Sequence, residues 1–232
     1  MAEKIKYTRR DLKGPDEFIS TFGRVVAWAR ENRLRVAAGA IAAVAVVALV
    51  LGTRAYLQWE ENKAGRELWP HLNRAREFLQ APAGADPEKL EVLEQFLTAY
   101  IHRHPSARAT VYARYYLGSI SFLRGNYDLS TTQFRAGIAI GKAAGIMEYL
   151  LREGVAQSLE AKGDFANASA AYRDAAGFAQ ADMKAQSLLG EARTLALSGK
   201  KPEAVALYRQ ILQEYPETKA RDLIEIQLSQ MD

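Results

Sequence analysis

The 232-residue sequence contains no cysteine. That excludes disulfides, thiolate metal sites, thiol nucleophiles and lipid attachment through a cysteine. Histidine is scarce, with three residues, His71, His102 and His104. The pair in "HRHP" stands two positions apart near a helix end, which does not set both rings on one helical face, so no metal site is expected. No strands are predicted, and no glycine-rich phosphate loop follows one. Carboxylates are scattered at solvated positions. With no nucleophile, paired acid and base or phosphate cradle, the chain is expected to be no enzyme and to need no cofactor.

Excess charge is also missing from most of the chain. The formal net charge of +4 sits in residues 1–35, which hold nine basic and five acidic side chains, whereas residues 60–232 hold 21 basic and 22 acidic ones. A nearly neutral C-terminal part argues against nucleic acid, which needs a basic face. The basic end suits membrane lipid at an anionic leaflet.

What the sequence does have is "RVAAGAIAAVAVVALVLGTR". Residues 36–53 form an 18-residue run without charge, about 27 Å of helix against a hydrocarbon core of roughly 30 Å. Extension to residue 58 completes a crossing. A buried core helix would show a polar stripe, and this run is apolar all round. A secretory signal would have a shorter basic region in front. Residues 36–58 therefore read as a retained transmembrane helix. Its anchors are Trp28, Arg33 and Arg35 before the span and Arg54, Tyr56 and Trp59 after it. The basic excess before the span predicts a cytoplasmic N-terminus, with everything beyond residue 58 across the membrane.

Residues 1–15 read as a basic cytoplasmic tail, punctuated by Gly14-Pro15. Its "TRRDLK" looks like a twin-arginine export signal, but the apolar run follows too late for one. Residues 16–35 read as a juxtamembrane amphipathic helix capped by Asp16, with Phe18, Phe22, Val25, Val26 and Ala29 on one stripe.

The remainder repeats itself. "YYLGSISFLRGNYDLSTTQFRAGI" from Tyr115, "EGVAQSLEAKGDFANASAAYRDAA" from Glu153 and "LGEARTLALSGKKPEAVALYRQIL" from Leu189 align in four columns. These are Gly118, Ala156, Ala192; Gly125, Gly163, Gly199; Ser130, Ala168, Ala204; and Phe134, Tyr172, Tyr208. Every column steps by 38 and then 36 residues. Small residues let two antiparallel helices approach, glycine ends the first helix in a left-handed conformation, and the aromatic plugs the gap between pairs. The pattern resembles the tetratricopeptide repeat (TPR), of about 34 residues per unit. It predicts an all-α chain, a single transmembrane helix followed by a TPR-like α-solenoid over 60–232.

Its units are placed at about 60–105, 106–145, 146–182 and 183–216, with a capping helix over 217–232. The first is degenerate: Ala64, Leu68, Leu72, Ala75 and Leu79 form one stripe and Leu90, Leu93, Phe96, Leu97 and Tyr100 another. "APAGADP" separates them, and Pro70 is expected to bend or interrupt the first helix.

The resemblance implies a concave face lined by the first helix of each unit. By alignment that partner-binding groove holds Tyr112, Tyr115, Ser119 and Phe122; then Leu150, Glu153, Gln157 and Glu160; then Gln186, Leu189, Arg193 and Ala196. The upper part is aromatic and the lower part polar, suited to extended or helical apolar segments. The same aromatics also suit packing between repeats. The Lys and Asn clamp for a C-terminal carboxylate is missing at the matching positions, so capture of an acidic tail in this groove is not expected.

The whole order of features, with the anchor "WARENRLRVAAGAIAAVAVVALVLGTRAYLQW", resembles the YfgM-like family of bacterial inner-membrane proteins. That resemblance implies a single-pass inner-membrane protein with a periplasmic C-terminal domain. It also implies protein partners, namely translocon subunits, periplasmic chaperones or exported chains, and a role as an ancillary adaptor of protein transport. The alternative is a scaffold subunit of one fixed envelope complex, for example in cytochrome maturation or division.

Overall fold

The computed structural model describes the backbone of residues 17–80 and 86–231, with side chains from residue 23 onward except residue 181. The tail 1–15, the Asp16 cap, the Phe18 and Phe22 side chains and most of the "APAGADP" linker lie outside the described residues. Two compact units are present, Met1–Gln58 and Trp59–Asp232.

In the first unit, α1 (Glu17–Glu31) is followed by α2 (Arg33–Gln80), which continues into the second. Asn32 separates them: its Nδ2 donates to the Trp28 carbonyl at 3.0 Å, an acceptor its own backbone amide also uses. Such local side-chain bonding competes with regular helix. Over residues 36–53 no side chain is buried, and mean hydropathy reaches 2.5. The helix is long and apolar enough to cross a membrane.

The second unit is built from helix pairs. The C-terminal part of α2 packs with α3 (Pro87–Arg103); the further pairs are α4 (Arg108–Leu123) with α5 (Tyr127–Ala139), α6 (Ile146–Ala161) with α7 (Phe165–Ala176), and α8 (Ala181–Leu197) with α9 (Lys201–Glu214); α10 (Arg221–Ser229) closes the array. Asp86 caps α3 by accepting from the Glu88 amide at 3.1 Å, with Pro87 at the first helical position. That placement uses the missing proline N–H where no partner is required.

The first pair is joined by the predicted stripes. Ala64, Leu68, Leu72 and Ala75 are buried against Leu90, Leu93, Leu97 and Tyr100. The Tyr100 hydroxyl donates to the Ala64 carbonyl at 2.9 Å, and burial pushes its phenol up to about 12. Of the two effects expected of Pro70, interruption is absent, because α2 runs through it. The freed carbonyl belongs to Arg66, which shares an exposed face with Pro70, so water can bond it.

In the clear repeats all four columns take the places their chemistry suggests. Gly125, Gly163 and Gly199 end α4, α6 and α8 with φ of +76°, +86° and +86°. There a side chain would meet the following carbonyl. Asn126 and Asp164 then cap α5 and α7 by accepting from the amides of Leu129 and Asn167. The small columns and the aromatic column are buried.

Phe134 and Tyr172 do more than fill a gap. The Phe134 ring lies between Gly118 of its own pair and Gly154 of the next, and Tyr172 lies against Gly190 of the next. An added Cβ at Gly154 or Gly190 would come within 2.6 Å of the ring. Each plug therefore seats on bare backbone one unit downstream. Ile224 of α10 is fully buried beside Tyr208 and Ile211, which covers the last pair.

Candidate partner-binding face

The side chains expected to line a groove come from α4, α6 and α8. In α4, Tyr112 meets Trp69 edge-on with ring centroids 5.1 Å apart. Tyr115 meets Tyr116 at 5.3 Å and Phe134 at 6.1 Å. Tyr112, Tyr115 and Tyr116 are half-buried, and burial pushes the Tyr115 phenol up. Ser119 turns its hydroxyl back to the Tyr115 carbonyl at 2.9 Å, and Phe122 meets Tyr127 at 5.5 Å. Tyr112 and Tyr115 are thus packed on one side and open on the other.

Trp69 escaped the sequence reading. It stands on α2 in the degenerate first unit, where no repeat column reaches, and it is 48% exposed. Its ring edge lies against Gly65, where an added Cβ would be 3.1 Å from Nε1. The periodic stripe of Ala64 and Leu68 places Trp69 one position off the core side, the only available signal. With Tyr112 it extends the aromatic surface from α4 onto α2.

The lower residues divide into two kinds. Gln157 and Gln186 are exposed, while Leu150, Leu189 and Ala196 are half-buried. Glu153 is 6% exposed and accepts from the Ser187 hydroxyl of α8 at 2.6 Å. Burial pushes the Glu153 carboxyl up, against the hydrogen bonds that favour its charge. It belongs to the seam between α6 and α8 and offers little to a ligand.

Glu160 and Arg193 form a second tie across the same seam. Arg193 Nε and Nη2 bond the two Glu160 oxygens at 2.6 and 2.8 Å, and the Tyr172 hydroxyl donates to Glu160 at 2.6 Å. A planar guanidinium that meets a carboxylate along two parallel bonds is the strongest form of this pair. Burial pushes the Glu160 carboxyl up, but the bonds from Arg193 and Tyr172 outweigh it and hold the group below its ordinary value. Arg193 and Tyr172 are both pushed up, Arg193 by Glu160 and Tyr172 by burial. Sequence alignment placed Glu160 and Arg193 on one face but gave no sign that they bond each other. What stays open to a partner is the aromatic surface of Trp69, Tyr112 and Tyr115, continued by Gln157, Gln186 and Leu189.

The expected anchors are also placed. Trp28, Arg33, Arg35, Arg54 and Tyr56 are exposed in the first unit, and Trp59 is exposed at the start of the second, with Lys63 Nζ 5.3 Å from its ring centroid. Two histidines are committed to packing: His71 stacks on Phe96 at 3.7 Å and His104 bonds Glu67 at 2.9 Å.

No family model matches the sequence, and no curated protein matches it. Among solved structures the chain is similar to the crystal structure of YrrB, a TPR protein with an unusual peptide-binding site. The TM-score is 0.50 at 17% identity, over 67% of this chain and 75% of that one. At such identity the likeness concerns the fold: the chain carries a TPR-like helical array.

Proposed function

We propose that the chain is a membrane-anchored adaptor whose helix pairs bind other proteins through the face of Trp69, Tyr112, Tyr115, Gln157, Gln186 and Leu189. The observation that carries this reading is the aromatic patch of Trp69 and Tyr112, which stays accessible on an array whose neighbouring polar groups are tied to one another. Large, stiff aromatic side chains lose little entropy on contact and commonly anchor protein interfaces. The peptide-binding site of the similar solved TPR protein supports the same reading.

On this proposal the chain spans a bacterial inner membrane once, with residues 1–15 in the cytoplasm and residues 60–232 in the periplasm. There it serves exported chains as an ancillary subunit of the translocon and its chaperones. The uncharged 18-residue run with basic residues before it supports the crossing and its direction. Because the chain lacks cysteine, Asp128→Cys would carry a unique thiol on an exposed position. Labelling of that thiol in intact cells by a maleimide that cannot cross the inner membrane is expected; labelling only after lysis would reverse the topology.

The binding test is photo-crosslinking from Trp69 and from Gln157 in native membranes, followed by mass spectrometry. Translocon subunits with many exported chains are the expected products. One dominant partner at constant ratio would replace the adaptor with a fixed scaffold, and absence of any product would remove the binding face.

A further inference from the structure

A pocket of about 730 Å³ opens between α3 and α5 over α4. It uses Arg114, Leu117 and Ser121, which lie roughly opposite Tyr112, Tyr115 and Phe122 around the helix. Arg114 Nη1 donates to Gln133 Oε1 at 2.9 Å. Its Nε is buried with no hydrogen-bond partner among the described residues. A charged group with a buried donor left in that state is incompletely compensated within the fold.

The repeat itself shows what that partner would be. Arg152 stands 38 residues later, the step that separates Gly118 from Ala156. There the guanidinium is fully engaged: Nε and Nη2 bond Glu148 at 3.0 and 2.6 Å, and Nη1 bonds Asp174 at 2.5 Å. The corresponding positions around Arg114 are Thr110 and Ala136, which supply no carboxylate. The pocket around Arg152 is also smaller, about 290 Å³. At Arg114 the charged lining residues besides the arginine are Glu94 and Arg124, which bond each other at 2.5 Å. The positive charge of Arg114 is therefore left uncompensated, beside apolar walls from Ile101, Leu117 and Leu129.

We propose that this pocket binds a carboxylate of a polypeptide partner, which pairs with the Arg114 guanidinium from the pocket side as Asp174 pairs with that of Arg152, while the neighbouring apolar side chain rests on Leu117 and Leu129. The choice of a polypeptide rests on the protein-binding reading above; the site does not depend on the aromatic face. An acidic side chain and a chain terminus offer the same group, and the test separates them.

The full chain in mild detergent is titrated by calorimetry with three short peptides. One is acetylated and amidated with an internal Glu, one is acetylated Ala-Ala-Leu-Ala with a free C-terminus, and one is the latter amidated. Saturable binding of a carboxylate peptide is expected, with none for the amidated control, and the tighter of the two acids identifies the source. Arg114→Gln should weaken binding at least ten-fold. Ala136→Asp, which supplies the carboxylate internally as Asp174 does for Arg152, should weaken it equally and raise the melting midpoint. No saturable binding at millimolar peptide, or binding unchanged in Ala136→Asp, overturns the proposal. Should Arg114→Gln fail to fold, Ala136→Asp decides alone. Crosslinks at Trp69 would survive that failure, so the two readings fall separately.

Discussion

Substitution of Gly154 by alanine should destabilise the array, although alanine is the better helix former. In an exposed helix the exchange would stabilise by about 1 kcal/mol. Here the new methyl carbon would stand 2.6 to 2.8 Å from three atoms of the Phe134 ring. The ring cannot retreat, because its other side meets Gly118, where an added Cβ would come within 2.9 Å. Moving a fully packed ring by several tenths of an ångström against three simultaneous contacts falls at the upper end of overpacking costs, about 3 kcal/mol. The net loss is then about 2 kcal/mol. Phe134→Ala by itself should cost about 3–5 kcal/mol, and it removes the clash. In that background Gly154→Ala keeps only its helix propensity and should stabilise by about 1 kcal/mol, so the coupling is about 3 kcal/mol. Urea unfolding of the four proteins in mild detergent, followed by circular dichroism, measures it. Equal effects of Gly154→Ala in both backgrounds, or a stabilising effect in the wild type, would refute the seating of the plug on the next helix.

Glu160→Gln should cost about 1–2 kcal/mol, the size of a partly exposed charged bond. The Glu160 carboxyl is held below its ordinary 4.5 in the fold, so its contribution is present above that value and declines as pH falls through the folded one; the variant should lose that decline in melting curves taken between about pH 6 and 3. Glu153 has the opposite sign: its folded carboxyl is raised above 4.5, so stability is lost as pH rises through the folded value, and Glu153→Gln should gain relative to wild type at neutral pH. A wild-type advantage there would show that Ser187 outweighs burial. Pro70→Ala should stabilise by roughly 1–3 kcal/mol, since it removes the clash of the ring with the Arg66 carbonyl and exchanges a water bond there for a helical one; an unchanged urea midpoint would show that the proline costs this helix nothing.

The repeat, its pairs of helices and the uncharged 18-residue run are legible along the chain, because these depend on composition and spacing that sequence neighbours impose. Gly125, Gly163 and Gly199 were legible for that reason: a turn after a helix needs a left-handed residue wherever the helix later packs. The stripes of the degenerate first pair were legible too. Relations between units arise only on folding. Alignment put Glu153, Glu160 and Arg193 on one face, and folding spent them on the seam between α6 and α8, since the register of two neighbouring helices fixes which side chains meet. Trp69 joined the aromatic face through the packing of α2 against α4, which no column encodes. Gly154 and Gly190 gained their role only when the preceding plug arrived over them. Arg114 and Arg152 are the same residue at the same repeat position, and they differ in their partners: Thr110 against Glu148 on the arginine's own helix, which spacing along the chain already shows, and Ala136 of α5 against Asp174 of α7, which only packing brings near.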